Sequence, residues 1–186
     1  DIDPSIIRVV PDVLEAYEIF LRELVGAGNS VIVPTPAYMP FLSVPKLYDV
    51  DVIEIEMLQS GDAETGEAQW VFDFDAIERA FAAGCHAFVL CNPHNPIGKV
   101  LTLEEELRLS DLAAQYDVRI FNDEIHAPFV FEGKHIPFPT ISEQAALQSM
   151  TATSASKSFN IPGTKCAQVL LTNPADRDMW AVKAEW

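Results

Sequence analysis

"VRIFNDEIH", residues 118–126, is an apolar run that ends abruptly in charge. Val118, Ile120 and Phe121 favour extended backbone, and Asp117 and Asn122 bracket them with turn-forming residues. The stretch reads as a short buried strand over 118–123. It presents Asp123 and Glu124 at its end, with His126 two residues beyond Glu124. The same reading applies to "VIVP" at 31–34, "DVIEIEM" at 51–57, "HAFVLCN" at 86–92, "SMTATS" at 149–154 and "CAQVLLTN" at 166–173. Each is short, β-rich and bounded by Pro, Gly, Asn or Asp.

Helical patterns separate these strands. Residues 12–25 place Val13, Leu14, Tyr17, Leu21 and Leu24 at helical spacing. Residues 73–83 open with Asp73 and Asp75. Thr102 begins a helix to about Tyr116, and Glu105 three residues on completes a capping box. Residues near the carboxyl end, "DRDMWAVKAEW", read as an amphipathic helix. Alternating β and α predicts an α/β fold: a mostly parallel sheet between two helical layers, αβα. "QSGDAETGEAQW" at 59–70 reads as a polar, glycine-containing loop.

The chain has 186 residues, enough for one domain with a sizeable core. Its net charge of −16 repels phosphate backbones and anionic lipid, so neither nucleic acid nor membrane partners are expected. Cys85, Cys91 and Cys166 sit in or beside apolar runs without a CxxC pair. The expectation is three buried, reduced thiols in a cytoplasmic protein, with no metal site.

Ligands in such sheets bind beyond the carboxyl ends of the strands. Three polar clusters fall there: "CNPHNPIG", "NDEIH" and "TSASK". Asp123 could simply cap the next turn; it could also hold a protonated ring nitrogen. Asn92 and Asn95 could bond their own backbone, although an amide fixed in a proline-stiffened loop can also bond a phenolic oxygen. Tyr38, between Pro36 and Pro40, could be a core residue or a ring that stacks on a flat ligand. Ser154 and Lys157 form S-x-x-K, in which the hydroxyl can reach a phosphate while the amine reaches an aldehyde. Lys165 could add a second charge at the phosphate. The S-D-N and K-T-G triplets of penicillin-recognising enzymes are missing.

The order P-x-Y, N-P-x-N-P-x-G, D-E-I-H and S-x-S-K-S-F-N resembles the pyridoxal phosphate (PLP)-dependent fold type I enzymes of the class I/II aminotransferase superfamily. "CNPHNPIG", "NDEIHAPFVF" and "SASKSFNIPG" are most similar to its MalY/PatB-type C–S lyases, the cystathionine β-lyases. The resemblance covers essentially the whole chain. It implies the large domain of an aspartate aminotransferase-like fold. Residues 1–186 would be the central part of that PLP-binding domain, lacking its N-terminal segment and C-terminal small domain.

The resemblance also assigns roles. Lys157 would hold the cofactor covalently and then act as the catalytic base. Asp123 would pair with the pyridine nitrogen, and Asn95 and His126 would touch the 3′ oxygen. Tyr38 would stack on the ring. Ser154, Lys165 and the backbone amides of Asp12 and Val13 would hold the phosphate. The arginine that grips the substrate carboxylate belongs to the C-terminal part. The implied activity is β-elimination from cystathionine-like amino acids, releasing a thiol, pyruvate and ammonia, by a homodimer when full length. An aminotransferase on the same fold is the alternative, and a non-catalytic α/β interaction module is a second. The lone fragment is expected to be inactive.

Overall fold

The computed structural model describes residues 3–61 and 69–183. The expected strands assemble into one seven-stranded sheet. Its strands are β1 (Ile7–Val10), β2 (Ser30–Thr35), β3 (Asp51–Glu56), β6 (Ala87–Cys91), β7 (Arg119–Asp123), β8 (Ser149–Ser154) and β9 (Ala167–Leu170). The order across the sheet is β1-β9-β8-β7-β6-β2-β3. From β3 to β8 every neighbouring pair is parallel, and β9 alone runs against the rest.

Side chains on a strand alternate between faces, and the core follows that rule. Val31, Val33, Ala87, Val89, Phe121, Met150 and Ala152 pack in one apolar cluster with Ala16, Tyr17 and Phe20 of α1 (Val13–Phe20). Trp180 of α6 (Pro174–Lys183) joins the same cluster. Ile32, Phe88, Leu90 and Ile120 point the other way. They pack with Ile77 and Phe81 of α3 (Phe74–Ala82), Leu109 and Ala113 of α4 (Leu103–Gln115) and Ala145 of α5 (Glu143–Gln148). The predicted three layers are therefore present.

The helices begin where their caps place them. Asp12, Asp73 and Ser142 each accept a bond from the third backbone N–H beyond. The Thr102–Glu105 capping box is complete, with Glu105 N to Thr102 Oγ1 at 3.2 Å and Thr102 N to Glu105 Oε2 at 2.8 Å. Glu105 also takes an ion pair from Lys99 at 2.8 Å, which ties the helix start to the loop before it.

Several local expectations need correction. The helix foreseen over 12–25 stays α-helical through Phe20 and widens into a π-type turn at Leu21–Val25, ending at Gly26 with φ +81°. β1 and the short α2 (Met39–Ser43) were not foreseen. The segment at 59–70 is not wholly loop. β4 (Leu58–Ser60) and β5 (Gln69–Val71) pair antiparallel around it, and residues 62–68 lie outside the described residues.

Phe121 sits where the central strand meets the helix on one face. Its ring lies 4.9 Å from Tyr17, 5.6 Å from Phe20 and 6.3 Å from Phe41, centroid to centroid. Replacing it with alanine is expected to cost about 3–5 kcal/mol, because a rigid cluster collapses poorly into the void. Urea unfolding of the full-length protein would show this as a lower midpoint.

Candidate active site

The parity that builds the core also sorts the polar residues at the strand ends. Phe121 and Asp123 share one face of β7, so the carboxylate of Asp123 emerges on the α1 side. Met150, Ala152 and Ser154 share the same face of β8. Both residues open onto one cavity of about 250 Å³ beyond the strand ends. Lys157 reaches it from the turn after β8, and Tyr38 and Asn95 reach it from the turns after β2 and β6. His126, Asp12, Val13 and Lys165 complete the lining. Every residue singled out from the sequence for a cofactor therefore borders the same space.

Asp123 is the unusual member. It is only 5% exposed, and its Oδ1 accepts the Ile125 N–H at 3.0 Å. Burial pushes its carboxyl up to about 7; the Ile125 N–H opposes this, the neighbouring Glu124 adds to it, and the Lys157 charge works against it. A carboxylate desolvated in this way gains most from a cationic partner placed in the cavity. His126 is half-buried. Burial first, and then the Lys157 charge, lower its pKa, so its ring is neutral near pH 7. Tyr38 keeps 40% of its surface exposed and stands edge-on to Phe41 at 5.6 Å, leaving ring surface for a ligand.

At the other end of the cavity the hydrogen bonds are already committed. Ser154 Oγ donates to the Cys166 carbonyl at 2.8 Å and accepts from Ser156 N at 3.1 Å. A phosphate would have to take over that hydroxyl hydrogen. Lys165 Nζ binds Asp12 Oδ2 at 2.8 Å, while Asp12 Oδ1 caps α1 through Glu15 N at 3.0 Å. Cys166 corrects the expectation of three buried thiols: Cys85 and Cys91 are buried, but Cys166 is exposed and lines the cavity.

The opposite parity produces a second polar cluster that the sequence reading missed. Asn92 and Glu124 turn toward the α4 face. Asn92 Nδ2 donates to Glu106 Oε1 at 2.7 Å, and its Oδ1 accepts Leu101 N at 3.1 Å. Glu124 Oε1 accepts from Asn122 Nδ2 and Phe138 N, both at 2.8 Å. Its Oε2 lies 3.3 Å from His135 Nε2. Burial pushes Glu106 up to about 7, with His135 opposing and Glu124 reinforcing the shift. These groups fasten, from behind, the two turns that carry Asn95 and His126. His94, itself buried, links two of the turns, with its Nε2 2.9 Å from the Pro36 carbonyl in the turn that carries Tyr38. The available signal was alternation: residues 122 and 124 had to face away from 121 and 123.

What the fold and cavity define is an α/β domain with a cavity of small-ligand size, lined by lysines and carboxylates, beyond the ends of its parallel strands. Comparison supplies the family. Residues 7–184 match the family described as Aminotransferase class I and II, and the chain belongs to it. It is 39% identical to the cystathionine beta-lyase of Corynebacterium glutamicum over 178 residues, 96% of this chain and 45% of that protein. It is 31% identical to protein MalY of Escherichia coli over 183 residues, 96% of this chain and 44% of MalY. Among solved structures it resembles cystalysin from Treponema denticola, which contains a pyridoxal 5′-phosphate cofactor. The TM-score is 0.89 at 31% identity, covering 97% of this chain and 45% of that one. The chain thus spans less than half the length of these relatives. No described helix is long and apolar enough to cross a membrane.

The buried Asp123 predicts a pH signature. Its folded pKa of about 7 lies above the usual value of 3.8, so the folded state holds a proton that the unfolded state releases. The stability tied to that proton is fully present below about pH 4 and is lost as pH rises toward 7. In ligand-free protein, Asp123→Asn should therefore raise stability at pH 7–8 by on the order of a few kcal/mol, and leave it unchanged near pH 4. Denaturant titrations of both proteins at several pH values would measure this.

Proposed function

We propose that the full-length protein is a PLP-dependent C–S lyase acting on cystathionine-like amino acids. The observation that supports it best is the meeting of Lys157 and the desolvated Asp123 in one cavity at neighbouring strand ends. The donor set fits the cofactor. Asp123 offers a buried anion for a pyridinium, and Tyr38 a ring face. Asn95 and neutral His126 offer hydrogen-bonding groups for the 3′ oxygen. Lys165, Ser154 and the first amides of α1 stand at the phosphate end. PLP, when bound, supplies the electron sink that makes a substrate Cα–H acidic.

The chain's own groups do the rest. Asp123 keeps the pyridine nitrogen protonated, so the sink stays cationic. Lys157 Nζ would hold the cofactor and, freed by substrate, would be the base placed to take the Cα proton. Loss of that proton would let the Cβ–S bond break, the electron pair leaving with sulfur as a thiolate that takes a proton back from the Lys157 ammonium to become the thiol. Water releases pyruvate and ammonia from the remaining three-carbon fragment. Elimination rather than amino transfer is favoured by the D-E-I-H motif, which places His126 at the cavity, and by the 39% identity to a cystathionine β-lyase.

We read residues 1–186 as the central part of the large domain. The length of the relatives supports this, and the family resemblance implies that the substrate-carboxylate arginine lies in the part outside it. A homodimer in the cytoplasm completes the proposal. Its support is the exposed apolar side chains near the cavity in sequence, Met39 at 75%, Phe131 at 91% and Phe159 at 73%, together with three free cysteines.

Full-length enzyme given cystathionine should release pyruvate and a thiol, read by a coupled lactate dehydrogenase assay and a thiol reagent. Amino transfer to a keto acid without pyruvate release would select the aminotransferase. Lys157→Ala should lower turnover by about three orders of magnitude, as expected for loss of a positioned base. Borohydride reduction and peptide mapping should place the pyridoxyl group on Lys157; a map placing it elsewhere refutes the lysine assignment.

A further inference from the structure

The charges that line the cavity are nearly balanced before any ligand enters. Its lysines are Lys157 and Lys165, and its carboxylates are Asp12 and Asp123. Lys157 must be neutral to attack a carbonyl, and Asp123 serves the ring end. Lys165 is therefore the lasting positive charge at the phosphate end, and Asp12 already holds it at 2.8 Å. The two residues are 153 positions apart, so the contact is made by the fold and not by local sequence.

Both partners are set in place by their backbones. Asp12 is the N-cap of α1, with its second oxygen on Glu15 N. Lys165 sits in the left-handed region at φ 51°, a conformation that disfavours side chains other than glycine and that here aims the lysine across the cavity mouth. Part burial works against ionisation of Asp12, but the Lys165 ammonium and the Glu15 and Leu14 amides hold its carboxyl below the usual carboxylate range. At neutral pH the pair is fully charged, so an arriving phosphate meets a neutral ion pair whose carboxylate sits at the helix start it would occupy.

We propose that Asp12 is a resident competitor for Lys165: an affinity-setting residue that makes this cavity hold a phosphorylated aldehyde more loosely than the same fold would without it. This rests on the PLP reading above. The phosphate must draw Lys165 away from Asp12 and then remain near the freed carboxylate. The effect belongs to the phosphate end alone, so an aldehyde lacking phosphate does not feel it.

The test uses full-length protein stripped of cofactor and titrated with PLP or with pyridoxal, following the absorbance of the lysine-bound form. Asp12→Asn preserves the cap, since Asn and Asp cap helices equally well. Asp12→Ser is the second variant should the first fold poorly. The expected result is a Kd for PLP about tenfold lower in Asp12→Asn, with the pyridoxal Kd unchanged, as removing a like charge near a phosphate predicts. Lys165→Gln should also cost more PLP affinity in the Asp12→Asn background than in wild type. Equal or weaker PLP binding by the variant overturns the proposal, as does an equal gain for PLP and pyridoxal, which would place the effect at the aldehyde end. If wild type forms no lysine-bound species with PLP, the cofactor reading fails and the inference fails with it.

Discussion

The site depends on one constraint: a carboxylate buried at the end of a central strand. Asp123 has lost its water and received one backbone donor in exchange. A chain with 28 acidic and 12 basic residues could easily have left that position to a neutral side chain. Keeping an acid there costs stability above pH 4 unless a cation arrives. A bound pyridinium is such a cation, and the same contact makes the ring a better electron sink. In the proposed lyase, ligand affinity and chemical competence would thus both derive from a single desolvated group. The sheet makes the burial possible: β7 is the middle strand of seven, with parallel neighbours on both sides and helices over both faces.

Strand parity then divides the work. On β7, Phe121 and Asp123 build the core under α1 and the cavity beyond it, while Ile120 joins the apolar layer on the other face and Asn122 the polar cluster behind. Asp123 and Glu124 are adjacent in sequence but serve opposite faces. Glu124 does not line the cavity; it accepts from Asn122 Nδ2 and Phe138 N, lies 3.3 Å from His135 Nε2, and so fixes the turn in which His126 lies. Glu106 does the same for the turn of Asn95 through Asn92. Positions on the two turns are held from behind by short bonds to buried groups, so little freedom is left to absorb when a ligand binds. Such preorganisation is what a site needs if binding energy is to go into the reaction and not into ordering the protein.

Much of this was legible in the sequence, and the failures have physical causes. The buried parallel strands announced themselves as apolar runs closed by turn residues, since both of their faces are covered. The capping box was readable because its bonds are local. β1 was not, because a four-residue edge strand is specified by its partner: Ile7 finds Leu170 only once the chain has folded. The antiparallel course of β9 was equally silent, since strand direction leaves no mark on composition. Lys165 and the Asp12 amide were each expected near a phosphate, Asp12 only through the family resemblance, but their mutual ion pair is a property of the fold. Cys166 was misjudged because it borders an apolar run; it precedes the strand and faces the cavity.

The end of the cavity proposed for the phosphate sets helix capping against ligand binding. A helix N-terminus favours an anion, and capping satisfies the same amides with the protein's own carboxylate. In Asp12 one residue does both jobs, so the device that starts α1 also occupies the charge that would attract the ligand. Stability of the helix and affinity for phosphate are therefore drawn from the same groups. A neutral cap such as Asn or Ser would start the helix as well and leave Lys165 free, so helix capping alone does not explain an aspartate there. On the proposed reading, what the aspartate adds is repulsion that would act on the phosphate and spare the ring end, so the grip on the ligand would be set without altering the chemistry at Lys157.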